Sequence, residues 1–385
     1  MKLLIIGGTG ILSTAVVSEA IEQGIDVTVI NRGKNKRFNN PEAETIIADV
    51  RNNPANVEKL LAGRYFDAVI DFIIWTEEQL KLSLSLFSKL ASQYIFISSA
   101  QAYNTSNKGV LTEDSEMCQP LWKYSINKHK AEEFLRHYSK KNGINYTIIR
   151  PGVNYGSTRI PYGLFPAIGS HWTFVERIKA GKYIPTWNGG KNRLNLTRVE
   201  DFAYGLVGLV GNHAAYNEDF NVCGDFVYSW AEVLEKLGEL IGSPVKTIDI
   251  PVDDYAKGLV GDEKEALLGG RAQDLVCSNE KLKKAVPSFK TRYDLGTGLK
   301  MTLAAYQSNG FYNGIDYAYE GKTDRIINRY VKKQMINVPK QVFIPYSCNG
   351  FIPNKKMYIR AYYNNNFYFR CLSKAFRIIK KILGK

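Results

Sequence analysis

The fold is decided by the stretch that opens the chain, Met1-Lys-Leu-Leu-Ile-Ile-Gly-Gly-Thr-Gly-Ile-Leu-Ser13. Leu3–Ile6 is a short run of apolar side chains, which is typical of a strand buried on both faces of a parallel sheet. The glycines follow at once, and a helical apolar pattern begins at Ile11. This order predicts a dinucleotide site, because glycine lets the backbone approach a pyrophosphate at the helix N-terminus.

The glycine spacing is Gly7-x-x-Gly10-x-x-Ser13 and departs from the GxGxxG fingerprint of dinucleotide-binding folds. Serine replaces the third glycine, and it is small enough to keep the helix close to the strand. An ordinary tight turn is the alternative interpretation. The buried strand before the turn and the helix after it favour a dinucleotide site.

Composition indicates a globular protein: of 385 residues, 45% are hydrophobic and 12% aromatic. Such a length allows one large core, or one core and a smaller lobe. The five cysteines show no CxxC spacing and the four histidines form no ligand-like cluster. We therefore expect a reduced, cytoplasmic protein without a metal. No apolar run reaches the ~18 residues of a membrane span, and the N-terminus does not resemble a signal peptide.

The formal net charge of +14 is concentrated at one end of the chain. Residues 311–385 contain 15 Lys/Arg and 3 Asp/Glu, whereas residues 1–310 contain 36 and 34. The body is nearly neutral, so the charge is not expected to serve the chemistry. A nucleic-acid partner is disfavoured, since such a partner usually requires a basic stripe on the folded domain.

Further strands and helices alternate along the first 150 residues. Apolar runs predict strands at Val27–Ile30, Thr45–Ile47, Ala68–Phe72 and Tyr94–Ile97, with a helix at about Thr76–Ala91. This alternation predicts an α/β fold with a Rossmann-type, doubly wound parallel sheet. Ligands of such sheets bind at the carboxyl ends of the strands.

The second predicted strand ends at Asn31-Arg32-Gly33, where a Rossmann unit meets the adenosine ribose of its cofactor. An acidic residue here would bond the 2′-hydroxyl of NAD, and this stretch has none. Arg32, followed by further basic residues, would accept the 2′-phosphate of NADP instead. We predict NADP, with NAD as the alternative; a solvated basic loop would explain the same residues without a cofactor. Asp49, after the third strand, is placed to meet the adenine.

Tyr124-Ser-Ile-Asn-Lys128 opens a predicted helix that ends near Lys141. A tyrosine and a lysine four residues apart lie on one face of a helix. A free tyrosine has a pKa of about 10, and a nearby ammonium would lower it by favouring the phenolate. Ser99, at the end of a neighbouring strand, could bond the same substrate oxygen. The pattern is weak alone and becomes strong behind a glycine turn and a strand that ends in Ser-Ser.

These pieces resemble the extended short-chain dehydrogenases/reductases, a family that includes nucleotide-sugar epimerases, dehydratases and ketoreductases. The matching segments occur in family order over roughly residues 1–305. They are Gly7–Ser13, Asp49-Val50, Ile97-Ser-Ser-Ala-Gln-Ala-Tyr103, Tyr124–Lys128, Arg150-Pro-Gly-Val-Asn-Tyr-Gly156, Thr197-Arg-Val-Glu-Asp201 and Phe220-Asn-Val-Cys-Gly224.

The resemblance implies roles for individual residues. Ser99 matches the catalytic serine, Tyr124 the acid/base, and Lys128 the residue that holds the nicotinamide ribose. The cofactor contacts that we predict are Gly7, Gly10, Ile11, Leu12, Asn31, Arg32, Asp49, Val50, Phe72, Ser98, Tyr124, Lys128, Pro151 and Val153. Family members that dehydrate sugars carry acidic residues just after the serine, where this chain has Ala100-Gln-Ala102. Dehydration is therefore not expected.

The resemblance also implies a division of the chain. Residues 1–156, with elements around 195–224, would form the NAD(P)-binding Rossmann domain. Residues 157–194 and 225–305 would form a smaller substrate lobe, in which Arg159 and Arg193 are candidates to bind a diphosphate. An ordinary surface role is the alternative for either arginine. Residues 306–385 would be a basic, aromatic extension.

The end of that extension has helical order at 369–383. An apolar stripe of Phe369, Leu372, Phe376, Ile379 and Leu383 lies opposite basic residues. This pattern is typical of a helix on an anionic membrane surface, and predicts peripheral contact with the inner face of a membrane. Packing against its own domain, or against the second copy in a homodimer, is the alternative.

Three functions remain open from the sequence. The first is an NADP-dependent oxidoreductase or epimerase of a nucleotide sugar, in cell-surface polysaccharide synthesis. The second is an RNA-binding member of the same fold, because Asn31-Arg-Gly33 looks like a subgroup that includes plastid stem-loop RNA-binding proteins. The third is a reductase or isomerase of another small carbonyl compound, since a fold does not determine a substrate.

Overall fold

A computed structural model describes residues 1–106, 109–164 and 166–363. The chain divides into two compact units. The first comprises Met1–Ser157, Asn192–Ser229 and Leu268–Gly298, and the second Thr158–Lys191, Trp230–Leu267 and the chain from Leu299 onward. The helix predicted at 369–383 lies outside the described residues.

The strands follow one another along the described chain as β1 (Lys2–Ile6), β2 (Asp26–Asn31), β3 (Glu44–Ile47), β4 (Phe66–Asp71), β5 (Ala91–Ile97), β6 (Asn145–Pro151), β7 (Val153–Tyr155), β8 (Ile184–Thr186), β9 (Arg193–Arg198), β10 (Glu218–Val222), β11 (Val227–Ser229) and β12 (Thr247–Asp249). The longer helices are α1 (Ile11–Glu22), α2 (Pro54–Leu60), α3 (Glu77–Phe87), α4 (Lys123–Asn142), α5 (Trp172–Lys179), α6 (Val199–Val207) and α7 (Trp230–Ile241). They continue with α8 (Val252–Ala256), α9 (Asp262–Ala266), α10 (Glu280–Ala285), α11 (Leu295–Ser308), α12 (Tyr317–Gln334) and α13 (Lys355–Tyr363).

A seven-stranded sheet forms the centre of the first unit. Its strand order is β10-β6-β5-β4-β1-β2-β3, and neighbouring strands pair in parallel. The doubly wound sheet predicted from the sequence is confirmed. The order reverses between β1 and β4, which is where folds of this kind bind their ligands.

The opening strand is buried on both faces, as its unbroken apolar run predicts. Leu3 and Ile5 pack in one core layer with residues of α1 and α6. Leu4 and Ile6 pack in a second layer with residues of α3 and α4. All four side chains are 0% exposed. Helices therefore cover both faces of the sheet at its centre.

Element ends follow local signals. Helix α3 begins after Thr76, whose hydroxyl accepts a hydrogen bond from the backbone N–H of Gln79. It ends at Phe87, earlier than the predicted Ala91, because the chain already enters β5 at Ala91. Strand β6 was not among the predicted elements, although its Thr147–Pro151 segment pairs with β10 and is buried.

The second unit contains the paired strands β8 and β12 and the helices α12 and α13. Sequence analysis predicted neither helix, because Tyr, Asn and Lys dominate residues 311–363. Helix α12 nevertheless buries Glu320, Asp324, Ile326 and Ile327. Helix α13 packs on it so closely that a Cβ at Gly321 would lie 2.3 Å from the carbonyl oxygen of Tyr358.

Candidate active site

The turn between β1 and α1 contains three glycines, Gly7, Gly8 and Gly10, with Thr9 between them. Gly7 has a φ of +86°, a conformation that favours glycine. A Cβ at Gly7 would lie 2.5 Å from Ile73, and one at Gly8 would lie 2.5 Å from Val29. Gly10 is the N-cap of the 12-residue α1. The backbone N–H groups at this helix N-terminus are suited to a phosphate.

Ser13 closes this turn by hydrogen bonds. Its hydroxyl accepts from the Gly10 N–H at 2.9 Å and donates to the Gly7 carbonyl at 2.7 Å. The side chain is 1% exposed. The sequence predicts only that this residue is small enough for close packing of helix and strand, and these hydrogen bonds are not part of that prediction. Because the bonded groups belong to the backbone of Gly7 and Gly10, the serine hydroxyl is the one feature of the sequence that could have indicated them.

The end of β2 carries the residues predicted to choose the cofactor. The Asn31 side chain accepts from the Gly33 N–H at 2.7 Å, which shapes the turn. Arg32 is exposed. The pKa of Asp49 is lowered, first by a hydrogen bond from the Asn52 side chain and to a smaller extent by the Arg32 guanidinium. The positive charge of Arg32 therefore favours the ionised form of Asp49.

Two serines, Ser98 and Ser99, directly follow β5, and each has a different environment. The Ser98 hydroxyl is buried and donates to Glu132 at 2.5 Å. The Ser99 hydroxyl accepts from the Gln101 N–H at 3.1 Å, and its side chain is half-buried. Of the two, Ser99 is the one a substrate could reach.

Tyr124 and Lys128 lie on the first turns of α4, as predicted. The Lys128 amine is 5.8 Å from the centre of the Tyr124 ring. It donates to the carbonyls of Ile74, at 2.6 Å, and Ile97, at 2.8 Å. These carbonyls follow β4 and end β5, so the lysine bridges the carboxyl ends of two adjacent strands.

The environment of Lys128 is unusual for a lysine. Its side chain is 5% exposed. Burial lowers the pKa of Lys128 to about 7, and the carboxylates of Glu132 and Asp71 oppose this effect. The amine therefore changes charge near neutral pH.

Two tryptophans flank the Tyr124 ring, and sequence analysis missed both. The ring centres of Trp75 and Trp122 lie 5.8 Å and 5.1 Å from that of Tyr124. A Cβ at Gly269 would lie 2.7 Å from Trp122, so the π-helical turn Leu267–Arg271 packs against this aromatic group. A YxxxK pattern gives no signal for these neighbours.

A buried network of ion pairs joins α4 to neighbouring strands of the sheet. Arg150 is 1% exposed and donates to Glu132 at 2.6 Å and Asp219 at 2.8 Å. Arg136 contacts the same two carboxylates. Glu132 also accepts from Ser98, so the network connects β5, α4, β6 and β10.

The other predicted residues are distributed as follows. Ile11 and Leu12 begin α1, Val50 is buried after β3, and Phe72 is half-buried after β4. Pro151 and Val153 lie at the end of β6 and the start of β7. Arg193 is exposed at the start of β9 in the first unit, whereas Arg159 belongs to the second.

Among the described residues, no three His, Cys, Asp or Glu side chains are grouped to bind a metal. None of the helices in this part of the chain is both long and apolar enough to cross a membrane.

Residues 3–223 match the model of the NAD dependent epimerase/dehydratase family. The chain belongs to this family. The predicted family is confirmed: the protein is an enzyme of the extended short-chain dehydrogenase/reductase type, with a pyridine nucleotide as its cofactor class.

Two curated relatives illustrate the range of the family. A chloroplast stem-loop binding protein of Arabidopsis thaliana is 28% identical, covering 77% of both chains. A UDP-glucose 4-epimerase of Corynebacterium glutamicum is 25% identical, covering 64% of this chain and 82% of its own.

Solved structures agree on the fold. A UDP-glucose 4-epimerase of Thermotoga maritima has a TM-score of 0.65 and 18% identity, covering 80% of this chain and 99% of its own. A UDP-glucuronic acid 4-epimerase of Bacillus cereus, solved with NAD, has a TM-score of 0.64 and 17% identity over the same shares.

Proposed function

We propose that the protein is an NADP-dependent epimerase or ketoreductase of a nucleotide-linked sugar, with Ser99, Tyr124 and Lys128 as its catalytic residues. The observation that carries the proposal is the position of the Lys128 amine. It is fixed by two backbone carbonyls at the carboxyl edge of the sheet, beside the Tyr124 ring.

The glycine turn fits a dinucleotide. Its backbone has no Cβ at Gly7, Gly8 or Gly10, and the Ser13 hydroxyl bonds the backbone of Gly7 and Gly10 at the N-terminus of α1. The backbone at Gly10–Leu12 would bind the pyrophosphate, and Lys128 would bind the nicotinamide ribose. When bound, the cofactor takes a hydride from the substrate carbon or gives one to it.

The side chains of the chain manage the proton. Tyr124 would take the proton of the sugar hydroxyl, or return it, while Ser99 orients that oxygen by a hydrogen bond. In its charged form, the amine of Lys128 favours the Tyr124 phenolate. The rings of Trp75 and Trp122 pack against the Tyr124 ring and help to position it.

Replacing Tyr124 with Phe tests the assignment. Positioned acid/base groups contribute about 10²–10⁴-fold, so Tyr124→Phe should lower turnover by that factor on UDP- and dTDP-sugars. NADPH binding, followed by fluorescence, should be unchanged. Near-normal turnover in this variant would exclude Tyr124 as the acid/base.

Arg32 supports NADP as the cofactor. It is exposed at the end of β2, and Asn31-Arg-Gly33 contains no carboxylate to bond the ribose of NAD. Since the B. cereus structure was solved with NAD, NAD is the alternative for this chain.

Epimerisation or reduction is favoured over dehydration. One relative is a dTDP-glucose 4,6-dehydratase of Escherichia coli, 26% identical over 62% of this chain. Elimination of a hydroxyl needs acid/base groups beside the serine, and the residues after Ser99 here are Ala100, Gln101 and Ala102.

A nucleotide sugar is the proposed substrate because several relatives are named as epimerases of UDP-sugars. Residues 157–194 and 225–305 would form the substrate lobe, and Arg159 or Arg193 would bind the diphosphate. Another relative, a vestitone reductase of Medicago sativa, is 23% identical over 75% of this chain. Melting temperatures with UDP, dTDP, GDP and CDP separate the two classes, since only a nucleotide-sugar enzyme should be stabilised.

Stem-loop RNA binding is a second candidate, favoured by the name of the A. thaliana relative. Filter binding of a stem-loop RNA at low and high salt tests it. Affinity for the RNA that persists at physiological salt would support RNA binding. If the RNA does not bind at physiological salt, this second candidate is excluded and the enzyme proposal remains.

Membrane contact by the C-terminal segment is supported by charge and exposure. Residues 325–385 contain 14 Lys/Arg and no Asp/Glu. In the described part, Met335 is 90% and Ile352 88% exposed. Exposed aliphatic side chains among lysines suit the surface of an anionic lipid membrane. Such contact would place the enzyme where lipid-linked polysaccharide is assembled.

Co-sedimentation with anionic vesicles at low salt tests this contact. Binding that salt weakens, and that is lost when residues after Tyr368 are deleted, would support the predicted helix at 369–383. If the full chain stays in the supernatant, the segment packs against protein.

A further inference from the structure

We propose that Asp71 is the positioning residue of this site: it shapes the turn on which both Gly7 and Lys128 rest, and its charge balances the buried Lys128. The proposal rests on the proposed role of Lys128 in binding the cofactor. Asp71 is the last residue of β4, where it pairs with Ile6 of β1 and Phe96 of β5. It is 0% exposed.

The Asp71 carboxylate fixes the chain that follows it. One oxygen accepts from the Ile73 N–H at 2.8 Å. The other accepts from the Ser83 hydroxyl at 2.5 Å and is 3.4 Å from the Tyr94 hydroxyl, which donates to it. Three elements, β4, α3 and β5, therefore hold this carboxylate in one position.

The next three residues each support part of the site. The Phe72 N–H donates to the Ile6 carbonyl at 3.1 Å, next to the glycine turn. The Ile73 side chain occupies the space where Gly7 lacks a Cβ. The Ile74 carbonyl accepts from Lys128 at 2.6 Å. A substitution at Asp71 should therefore disturb both the contacts of the glycine turn and the hydrogen bond of Lys128.

Charge assigns a second role to the same carboxylate. The hydrogen-bond donors to Asp71 among the described residues are neutral: the Ile73 amide, Ser83 and Tyr94. Glu132, which also faces Lys128, is already paired with Arg150 and Arg136.

Asp71 is therefore the carboxylate left to balance the Lys128 ammonium. Burial lowers the pKa of Lys128, and Glu132 and, to a smaller extent, Asp71 raise it. Burial likewise raises the pKa of Asp71, with Lys128 among the groups that oppose it.

The isosteric variant Asp71→Asn separates charge from shape, because the Asn carbonyl can still accept from Ile73. NADPH affinity is measured by fluorescence from pH 5.5 to 8.5. In the wild type, affinity should fall as Lys128 loses its proton. Loss of a nearby opposite charge should move the midpoint of this fall down by roughly 1 pH unit.

Ser83→Ala is the matched control, since it removes a hydrogen bond to Asp71 and keeps the carboxylate. Its midpoint should equal that of the wild type. If both variants weaken NADPH binding without moving the midpoint, Asp71 is only structural and the charge proposal is overturned.

A second measurement does not depend on the proposed function or on the stability of Asp71→Asn. If Asp71 balances the charge of Lys128, the variant Asp71→Asn contains a buried ammonium without its counter-charge. Replacing Lys128 in that variant removes the energetic cost of this ammonium. Lys128→Met should then raise the melting temperature more in the Asp71→Asn background than in the wild type, where it leaves Asp71 without its cation. An equal change in the two backgrounds overturns the proposal, whether or not the wild type binds NADPH.

Discussion

Two groups of buried charges, one in each unit, differ in how completely they are paired. In the second unit, Arg177 donates to Glu320 at 2.9 Å and to Asp324 at 2.8 Å. Lys182 contacts the same two carboxylates. In the first unit, the Lys128 amine donates to two backbone carbonyls, and its carboxylates act from a distance.

The difference separates a fully paired group of buried charges from an incompletely paired amine, for which we propose a role in binding the cofactor. The second-unit group has two cations, two carboxylates and hydroxyl donors from Tyr346 and Tyr358. The two positive and two negative charges of this group cancel, and its charged atoms are already paired with one another. Lys128 is held by neutral oxygens, and its pKa of about 7 lets it respond to a ligand or to pH. Incomplete pairing with carboxylates, rather than burial, therefore distinguishes Lys128 from the buried charges of the second unit.

Breaking the second-unit group should have the largest effect in this comparison. Asp324→Ala leaves Arg177 and Lys182 short of one carboxylate, and losing one partner of a buried pair costs about 3–5 kcal/mol. Urea unfolding should show this loss. The control is Glu239→Gln, which breaks an exposed pair with Lys236 in the same unit and should cost less than about 1 kcal/mol. Equal losses would mean that the buried group has no special weight.

Arg32 extends the comparison to an exposed charge that faces a ligand. A charge-assisted hydrogen bond to the 2′-phosphate is worth about 1.5–3 kcal/mol, so Arg32→Ala should weaken NADP(H) by roughly 10- to 150-fold. NAD(H) binding and stability should hardly change. Lys34→Ala, two residues away and also exposed, should have a smaller effect. If the wild type binds NAD(H) as tightly as NADP(H), the interpretation of Asn31-Arg-Gly33 is wrong.

The effect of the buried Lys128 on the free energy of unfolding should depend on pH. Its folded-state pKa of about 7 lies below the ordinary lysine value of 10.5, so between these values the unfolded chain binds a proton that the folded chain does not. Stability from this group therefore rises with pH across that window. The unfolding free energy of the wild type, relative to Lys128→Met, should increase by about 1 kcal/mol per pH unit between pH 7 and 9. A flat difference would mean that Lys128 stays charged in the fold.

Much of the first unit could be predicted because its signals are local. The glycine turn, the strand periodicity and the Tyr124–Lys128 spacing each lie within one element and its flanks. Ser13 shows the limit of this reasoning: its size was predicted, and its bonds to Gly7 and Gly10 were not. Strand β6 and the helices α12 and α13 were missed, since their apolar residues are interrupted by Tyr, Asn and charged residues that only packing explains.

The sequence by itself determined the alternation of strands and helices in the first 100 residues, the parallel sheet, the glycine turn and the family, because these follow from backbone conformation and from periods of two to four residues. Only the tertiary structure decided which charges meet. Arg177 and Glu320 are 143 residues apart, and Lys128 and the Ile74 carbonyl are 54 apart. No local pattern encodes such pairs, because burial and charge balance arise only when distant elements pack together.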